Sequence, residues 1–380
     1  MKALREWQKD AYDRWAKTGF YGLIKARTGA GKTAGAVSCI SKFRQEHPFI
    51  PILVIVPSAK LKGQWEKELK EQMVTDVPIM TYLQAINRMY RGGLKADCLV
   101  LDECHRISPG KQSAKVMELK PSFVLGLSAT PGGSVKVLGE PFYTVDWEEA
   151  ELCPFYVHYA KFKPTDAEVK EYTKWTDRMR KQASDCTNGM AQSLPPGRNS
   201  RYDYYVRMRR SVAYEFDSRV PNAVNLIKTY KGKRTIVFTE RNDQIEQIAR
   251  SLDREGIDYA ICNQRTNTLP KFEKHQCNIL LLAKMMREGW NDPTLEVEIL
   301  VAPTTRELSH TQVVGRVQRK DPDNPNKEAH IIVMVAEGTS DENIIHTNDF
   351  PKSSVETTTV QKILDIAPGL SARHMVSKFF

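Results

Sequence analysis

The residues best equipped for chemistry are Ala26-Arg27-Thr28-Gly29-Ala30-Gly31-Lys32-Thr33, which follow a β-branched run and open an amphipathic stretch. A loop of this kind aims backbone N–H groups at phosphate oxygens, and the N-terminus of the following helix adds a favourable field. Gly29 and Gly31 supply the backbone angles and the close approach that such a turn requires. Lys32 is placed to hold the β- and γ-phosphates and Thr33 a Mg²⁺ ion, with Thr28 and Ala30 completing the cradle. The usual pattern opens on glycine where this chain has Ala26. Further on, Asp102-Glu103 ends the run Cys98-Leu99-Val100-Leu101. A carboxylate there emerges at the C-terminal edge of a parallel sheet, where ligands bind in such folds. Hard Mg²⁺ is held through one or two carboxylates plus phosphates, so Asp102 is the metal-side candidate. Glu103 is the candidate base that orients or deprotonates an attacking water. An acidic pair after a strand is often only a turn, but downstream of a phosphate loop it reads as nucleoside triphosphate hydrolysis.

These groups need a scaffold, and the hydrophobic pattern supplies one. Short apolar runs at Phe20–Lys25, Ile52–Val56, Pro78–Tyr82, Asp97–Leu101 and Phe123–Leu127 alternate with longer amphipathic stretches. A second block repeats the pattern at Arg234–Phe238, Asp258–Ile261, Asn278–Leu282, Glu296–Val301 and His330–Val335. Strands apolar on both faces belong to parallel sheets covered by helices, so the pattern predicts two doubly wound α/β domains. The expected boundaries are 1–150, a helical insert over 151–225, 226–340, and a helical tail over 341–380.

In the insert, Thr165-Asp166-Ala167-Glu168 has the form of a capping box that starts a helix. Val169, Tyr172, Trp175 and Met179 then mark one apolar face, and Ser184–Ser200 reads as a loop rich in Ser, Asn, Gly and Pro. From Arg198 to Val220 six arginines stand against Asp203, Glu215 and Asp217, with Tyr202, Tyr204, Tyr205 and Tyr214 interleaved. Basic and aromatic residues together can neutralise phosphates and stack on bases, which makes Arg207, Arg209 and Arg210 candidates for nucleic-acid contact. The competing reading is that such residues on a bridging helix pack and snorkel.

Composition bounds the alternatives. With 380 residues, 41% of them hydrophobic and 27% charged, the chain is not largely disordered. Its apolar runs are about five residues long, far short of the roughly twenty a membrane-spanning helix needs. The start MKALREWQKD lacks the apolar core of a secretory signal. Seven scattered cysteines without a C-x-x-C pair predict reduced thiols and no zinc site. A net charge of +10 fits a polyanionic partner.

At Asp102-Glu103-Cys104-His105 the chain resembles the DExH-box members of helicase superfamily 2, and further motifs follow in the family's order. Leu4-Arg5-Glu6-Trp7-Gln8 is similar to the adenine-contacting Q-type motif, which implies that Arg5 and Gln8 meet the nucleotide base. Ala26–Thr33 resembles motif I, in which an initial alanine is common. Val56-Pro57-Ser58 with Gln64-Trp65 resembles motif Ia, and Thr81-Tyr82 a later strand end, implying nucleic-acid contact at Pro57, Ser58 and Thr81. Ser128-Ala129-Thr130 resembles motif III, which implies that Ser128 and Thr130 couple hydrolysis to movement. Ile236-Val237-Phe238-Thr239 is similar to motif IV, adding Thr239 as a nucleic-acid candidate, and Arg287-Glu288-Gly289-Trp290-Asn291 to motif V, adding Gly289 as a nucleotide contact. Motif V departs from the family at Asn291, where relatives often carry Asp, and at Ala283-Lys284, where many carry threonine. Gln312-Val313-Val314-Gly315-Arg316-Val317-Gln318-Arg319 resembles motif VI, Q-x-x-G-R-x-x-R.

Arg316 and Arg319 are three apart and on a helix would share a face. Two guanidinium groups toward a γ-phosphate would stabilise the charge that spreads in the transition state. The resemblance implies that Arg319 makes this contact with Arg316 and Gln312 beside it, and that His105 links the nucleotide site to Gln312 or motif III. It also implies two RecA-like domains with ATP and Mg²⁺ between them. The DECH box and the Gly-Trp form of motif V look closer to the XPB, UvsW and restriction-translocase groups than to RNA helicases. The expectation is therefore an ATP-dependent DNA helicase or translocase acting on single-stranded, forked or branched DNA beside replication, recombination or repair proteins, with no membrane partner. A non-unwinding, nucleic-acid-stimulated ATPase and an RNA helicase are the alternatives. Because the core opens at once with the Q-type motif, no preceding DNA-reading domain is expected, and the expectation is a minimal form of the kind a phage encodes. The expected compartment is the cytoplasm of a bacterial or phage-infected cell, with the nucleus as alternative.

Overall fold

Elements of the first unit follow directly from the apolar runs. Helix α1 (Glu6–Lys17) buries Trp7, Ala11, Tyr12 and Trp15, a spacing of three and four that makes one face. Strand β1 (Tyr21–Lys25) leads into the phosphate loop and α2 (Lys32–Glu46). Then come β2 (Ile52–Val56), α3 (Ala59–Glu71), β3 (Ile79–Thr81) and α4 (Tyr82–Tyr90). Strands β4 (Cys98–Asp102) and β5 (Phe123–Ser128) follow, then the short α5 (Val135–Leu138) and β6 (Tyr143–Thr144). They form a parallel sheet in the order β3-β2-β4-β5-β1-β6. Alternate strand residues divide between two cores. Ile24, Val54, Val100 and Leu125 pack against α1, α2 and α3, whereas Leu23, Leu53, Leu99 and Val124 face α4. Successive side chains point to opposite faces, so a strand covered on both sides reads as unbroken apolar sequence.

The computed structural model describes residues 4–187, 201–283, 292–302, 315–347 and 350–365, with backbone alone at 185–187. Within it, residues 4–153, 292–293 and 315–325 form one unit, and 154–187, 201–283, 294–302, 326–347 and 350–365 form the other. The second unit runs β7 (Phe155–Phe162), α6 (Asp166–Thr187), α7 (Arg201–Tyr214), α8 (Arg219–Thr229), β8 (Thr235–Thr239), α9 (Asn242–Arg254), β9 (Ala260–Cys262), α10 (Leu269–Glu273), β10 (Ile279–Ala283), β11 (Val297–Leu300), β12 (Ala329–Ala336) and β13 (Val355–Thr359). A final helix spans Val360–Asp365. All pairings in its sheet are parallel, in the order β13-β7-β12-β11-β8-β10-β9.

Both doubly wound sheets are present, and the differences from the sequence reading lie at the joins. The expected insert opens with a strand, β7, which pairs with β12 and β13 of the second sheet. His158 and Lys161 interrupt its apolar pattern, and His158 is nevertheless buried with Nδ1 3.3 Å from Glu356 Oε2 on β13. The expected helical tail likewise contains a strand, β13, whose Thr-rich sequence has β propensity but little hydrophobic signal. The capping box forms as drawn. Thr165 N donates to Glu168 Oε2 at 2.8 Å and Glu168 N to Thr165 Oγ1 at 3.4 Å, but of the helical face that follows only Tyr172 is fully buried. The start of the expected loop at Ser184 is the last turn of α6, and 188–200 lie outside the described residues.

Candidate nucleotide-hydrolysis site

Local chain geometry places the phosphate loop. Gly29 has φ 87° and Gly31 φ 83°, left-handed conformations that L side chains adopt only under strain. Gly31 has a second reason to lack a side chain, since a Cβ there would stand 2.5 Å from Gln8 Nε2. That amide donates to Gly31 O at 2.8 Å, while Gln8 Oε1 accepts from Arg5 N at 2.9 Å. Trp7 Nε1 donates to Ala30 O at 3.1 Å and Arg5 Nη1 to Gly29 O at 3.3 Å and to Ala150 O. The start of α1 thus grips the loop through backbone carbonyls at three successive residues. Lys32 opens α2, with Nζ 3.2 Å from Ala26 O and 3.8 Å from Glu103 Oε1, and Thr33 follows in the first turn.

The acidic pair sits where β4 ends. Asp102 is buried, accepting at Oδ2 from Trp65 Nε1 (2.9 Å) and at Oδ1 from Glu103 N (3.0 Å). Burial, then the neighbouring Glu103 charge, raises its pKa to about 6. Glu103 goes the other way. Burial would raise it, but Lys32 and then His105 outweigh burial and hold the carboxyl below its ordinary value. Its φ of 50° turns the chain sharply off the strand into a 3₁₀ turn at Cys104–Ile107. Non-glycine residues held there cost of order 1 kcal/mol and cluster at functional sites. His105 Nδ1 lies 3.3 Å from Glu103 Oε2 and 3.2 Å from Ser128 Oγ, so the structure brings Glu103 and Ser128 to one imidazole. Ser128 Oγ in turn accepts from Thr130 N at 3.2 Å.

The arginine motif is not on a helix among the described residues. Residues 315–318 form a turn that packs within the same unit as the loop. Cys153 N donates to Gln318 O at 3.0 Å and Lys320 pairs with Glu151 at 3.6 Å. A Cβ on Gly315 would stand 2.3 Å from Thr28 Cβ, and one on Gly29 would stand 3.4 Å from Arg319 Cγ. At Gly315 only glycine allows this approach, whereas at Gly29 the left-handed φ is what calls for glycine. Burial and then Arg5 lower the Arg319 pKa to about 10. Arg316 is buried as well. Like charges gathered at a loop, with a buried Thr28 Oγ1 that has no hydrogen-bond partner among the described residues, suit a polyanionic ligand. Oxygen donors at Asp102 and Thr33 suit a hard divalent cation.

The remaining candidates divide. Pro57 and Ser58 stand at the head of α3 and Thr81 at the head of α4, where Thr81 Oγ1 caps the helix by accepting from Gln84 N at 3.3 Å. Thr239 is in the second unit, buried, with Oγ1 donating to Arg241 O at 2.8 Å. On α7, Arg207 is exposed, whereas Arg209 lies 5.8 Å over the Tyr172 ring and Arg210 5.2 Å over that of Tyr214. Gln312 and Gly289 fall outside the described residues. Sequence reasoning gave no role to the indoles of Trp7 and Trp65 or to the Tyr82 hydroxyl, which donates to Asp102 O at 3.0 Å. All three lay inside motif segments, but a side-chain donor reaching another segment leaves no periodic signal.

Comparison with known proteins bears on the family and the fold. The family model for the type III restriction enzyme res subunit matches residues 1–81 and 72–133, and that for the helicase conserved C-terminal domain matches 218–321. The chain is 24% identical over 383 residues to the DNA 3'-5' translocase XPB2 of Sulfurisphaera tokodaii, covering 89% of this chain and 82% of that protein. It is 24% identical over 370 residues to a putative DNA 3'-5' helicase Rad25 of Halobacterium salinarum, spanning 89% of this chain but 55% of that relative's length. Among solved structures, the Pyrococcus furiosus Hef helicase domain superposes with a TM-score of 0.58 at 16% identity, over 91% of this chain and 98% of that one, which shows a shared RecA-like fold. The chain belongs to helicase superfamily 2, as an ATP-hydrolysing DExH-box enzyme that resembles the XPB and restriction-translocase group.

Proposed function

We propose that the chain is an ATP-driven DNA translocase whose output is movement on, or unwinding of, forked or branched DNA. The observation that carries the hydrolytic part is the assembly of Lys32, Glu103 and Arg319 around one glycine loop, with Lys32 3.8 Å from Glu103 and Arg319 against Gly29. In this reading Lys32 and the loop N–H groups bind the phosphates. Glu103, kept ionised, orients and deprotonates the attacking water, and Arg319 with Arg316 neutralises charge on the transferring group. Asp102 and Thr33 would hold Mg²⁺, which screens the phosphate charge when bound. The DNA part is supported by the names of the relatives above and by the net charge of +10.

Steady-state ATP hydrolysis tests it, measured with the protein alone and with single-stranded DNA, duplex DNA, forked DNA and RNA. Stimulation by DNA and not by RNA is expected. Stimulation by RNA alone would overturn the substrate assignment, and no hydrolysis under any condition would overturn the mechanism.

A further inference from the structure

The two strand ends assigned to nucleic-acid contact meet the acidic pair at one edge of the first sheet. In the order β3-β2-β4, Val56 pairs with Thr81 and Ile55 with Leu101, so Thr81, Pro57-Ser58 and Asp102 leave neighbouring strands at the same end. Ser58 heads α3 without a side-chain cap, and its buried Oγ has no hydrogen-bond partner among the described residues. Thr81 heads α4.

Each of these helices sends one buried aromatic donor to Asp102. From α3, the fully buried Trp65 donates Nε1–H to Oδ2 at 2.9 Å; from α4, Tyr82 donates its hydroxyl to the Asp102 carbonyl at 3.0 Å. Asp102 Oδ1 is held by its own neighbour, Glu103 N, at 3.0 Å. An indole N–H is a donor only, and when buried it needs an acceptor. A backbone carbonyl is enough for that, as it is for Trp7 at Ala30 O and for Trp15 at Val124 O in the same unit. Trp65 uses the carboxylate expected to face the nucleotide's metal ion instead. About 10 Å of helix separates it from Ser58, at 1.5 Å per residue, and a helix moves over that length as a rigid rod. A small shift at the head of α3 or α4 therefore reaches Asp102 through a single short bond.

We propose that Trp65 and Tyr82 are positioning residues that carry nucleic-acid occupancy at the heads of α3 and α4 to Asp102. The inference rests on the proposed function, since it requires that nucleic acid bind at those helix ends. Binding there sets α3 and α4; Trp65 then sets the carboxylate and Tyr82 the backbone carbonyl of the residue that bears it. ATP turnover then rises only when a strand is engaged. To the extent that DNA tightens the binding of nucleotide with metal, linkage makes nucleotide with metal tighten the grip on the strand by the same factor.

The test uses the full chain with Trp65→Phe, Tyr82→Phe and the pair, each checked for folding by thermal melting. Three quantities are read: DNA affinity by fluorescence anisotropy, the ratio of ATP turnover with and without single-stranded DNA, and the Mg²⁺ midpoint for binding a fluorescent ATP analogue with and without DNA. The ratio cancels any uniform change in rate. Coupling of this kind is usually worth about 5- to 150-fold. The expected result is that the variants still bind DNA, that the stimulation ratio falls at least about fivefold, and that DNA no longer moves the Mg²⁺ midpoint. Folded variants that keep the parent's ratio and its midpoint shift would overturn the proposal. If Trp65→Phe does not fold, Tyr82→Phe decides, because it removes one hydroxyl from an unchanged ring. A parent enzyme that no nucleic acid stimulates would instead overturn the proposed function and this inference with it, and that outcome is seen before any variant is made.

Discussion

Glu103 and Asp102 are adjacent in the chain and opposite in electrostatics. Lys32 and His105 outweigh burial at Glu103, while burial prevails at Asp102. A base must be ionised to take a proton, and of the two carboxyls Glu103 is the one whose neighbours favour the charged form. Glu103→Gln should retain nucleotide binding and lose about 10²–10⁴-fold in turnover. Arg319→Ala should behave in the same manner. Lys32→Ala should weaken ATP binding itself by about 10- to 100-fold, the loss of a charge-assisted hydrogen bond. Equilibrium binding of a fluorescent ATP analogue beside single-turnover hydrolysis separates the two classes. If Glu103→Gln turns over at the parent rate, the base is elsewhere.

Asp102 also gives a stability prediction for protein free of nucleotide and metal. Its pKa is about 6 folded and near 3.9 in an unfolded chain, so the folded state holds the extra proton between those values. Its contribution is therefore greatest below about pH 4 and is lost as the pH rises through about 6. Asp102→Asn has no such proton. Melting temperatures of parent and variant from pH 4.5 to 7.5 should show the parent losing ground to the variant as pH rises. A constant difference would mean that the carboxyl is not raised.

At the scale of elements, charge reads differently once burial is known. Arg219 looks in sequence like one more cation of a basic tract, yet it is fully buried. It donates to Ala213 O at 2.9 Å and Val301 O at 2.6 Å, and pairs with Asp341. It therefore ties the start of α8 to the ends of β11 and β12, and it is unavailable to DNA. Asp341→Ala leaves that guanidinium buried without its counter-charge and should cost about 3–5 kcal/mol. Arg219→Met with Asp341→Leu should cost less, because no charge is then stranded; chemical denaturation compares them. On α7 only Arg207 of the three candidates is free of ring packing among the contacts seen, since Arg209 and Arg210 lie over Tyr172 and Tyr214. If Arg207 meets a phosphate, Arg207→Ala should reduce the salt slope of DNA binding by about 1. Changing all three to Ala should also lower the melting temperature, which would show that packing and DNA contact are mixed in that tract.

For the whole molecule, the decisive property is work done on DNA. With ATP, the protein should displace the labelled strand of a forked duplex, and with a non-hydrolysable analogue it should not. DNA-stimulated hydrolysis without displacement would leave a translocase or remodelling enzyme. The net charge of +10 predicts that both DNA binding and displacement weaken steeply with salt.

The sequence by itself determined the two doubly wound sheets, the phosphate loop and the acidic pair. Covered parallel strands read as unbroken apolar runs, and a glycine loop between strand and helix is local chemistry. The strands β7 and β13 were not legible. His158 and Lys161 in one and the threonines in the other carry no apolar pattern, and only their neighbours in the sheet make them strands. Nor was it legible that Gly315 and Arg319 of the arginine motif lie against Thr28 and Gly29, about three hundred residues away in the chain. The same holds for Gln8 on Gly31 O and Trp65 on Asp102. Periodicity records which face of an element is buried, whereas a polar side chain's partner in another segment is chosen only when the folded chain brings the two within hydrogen-bond distance.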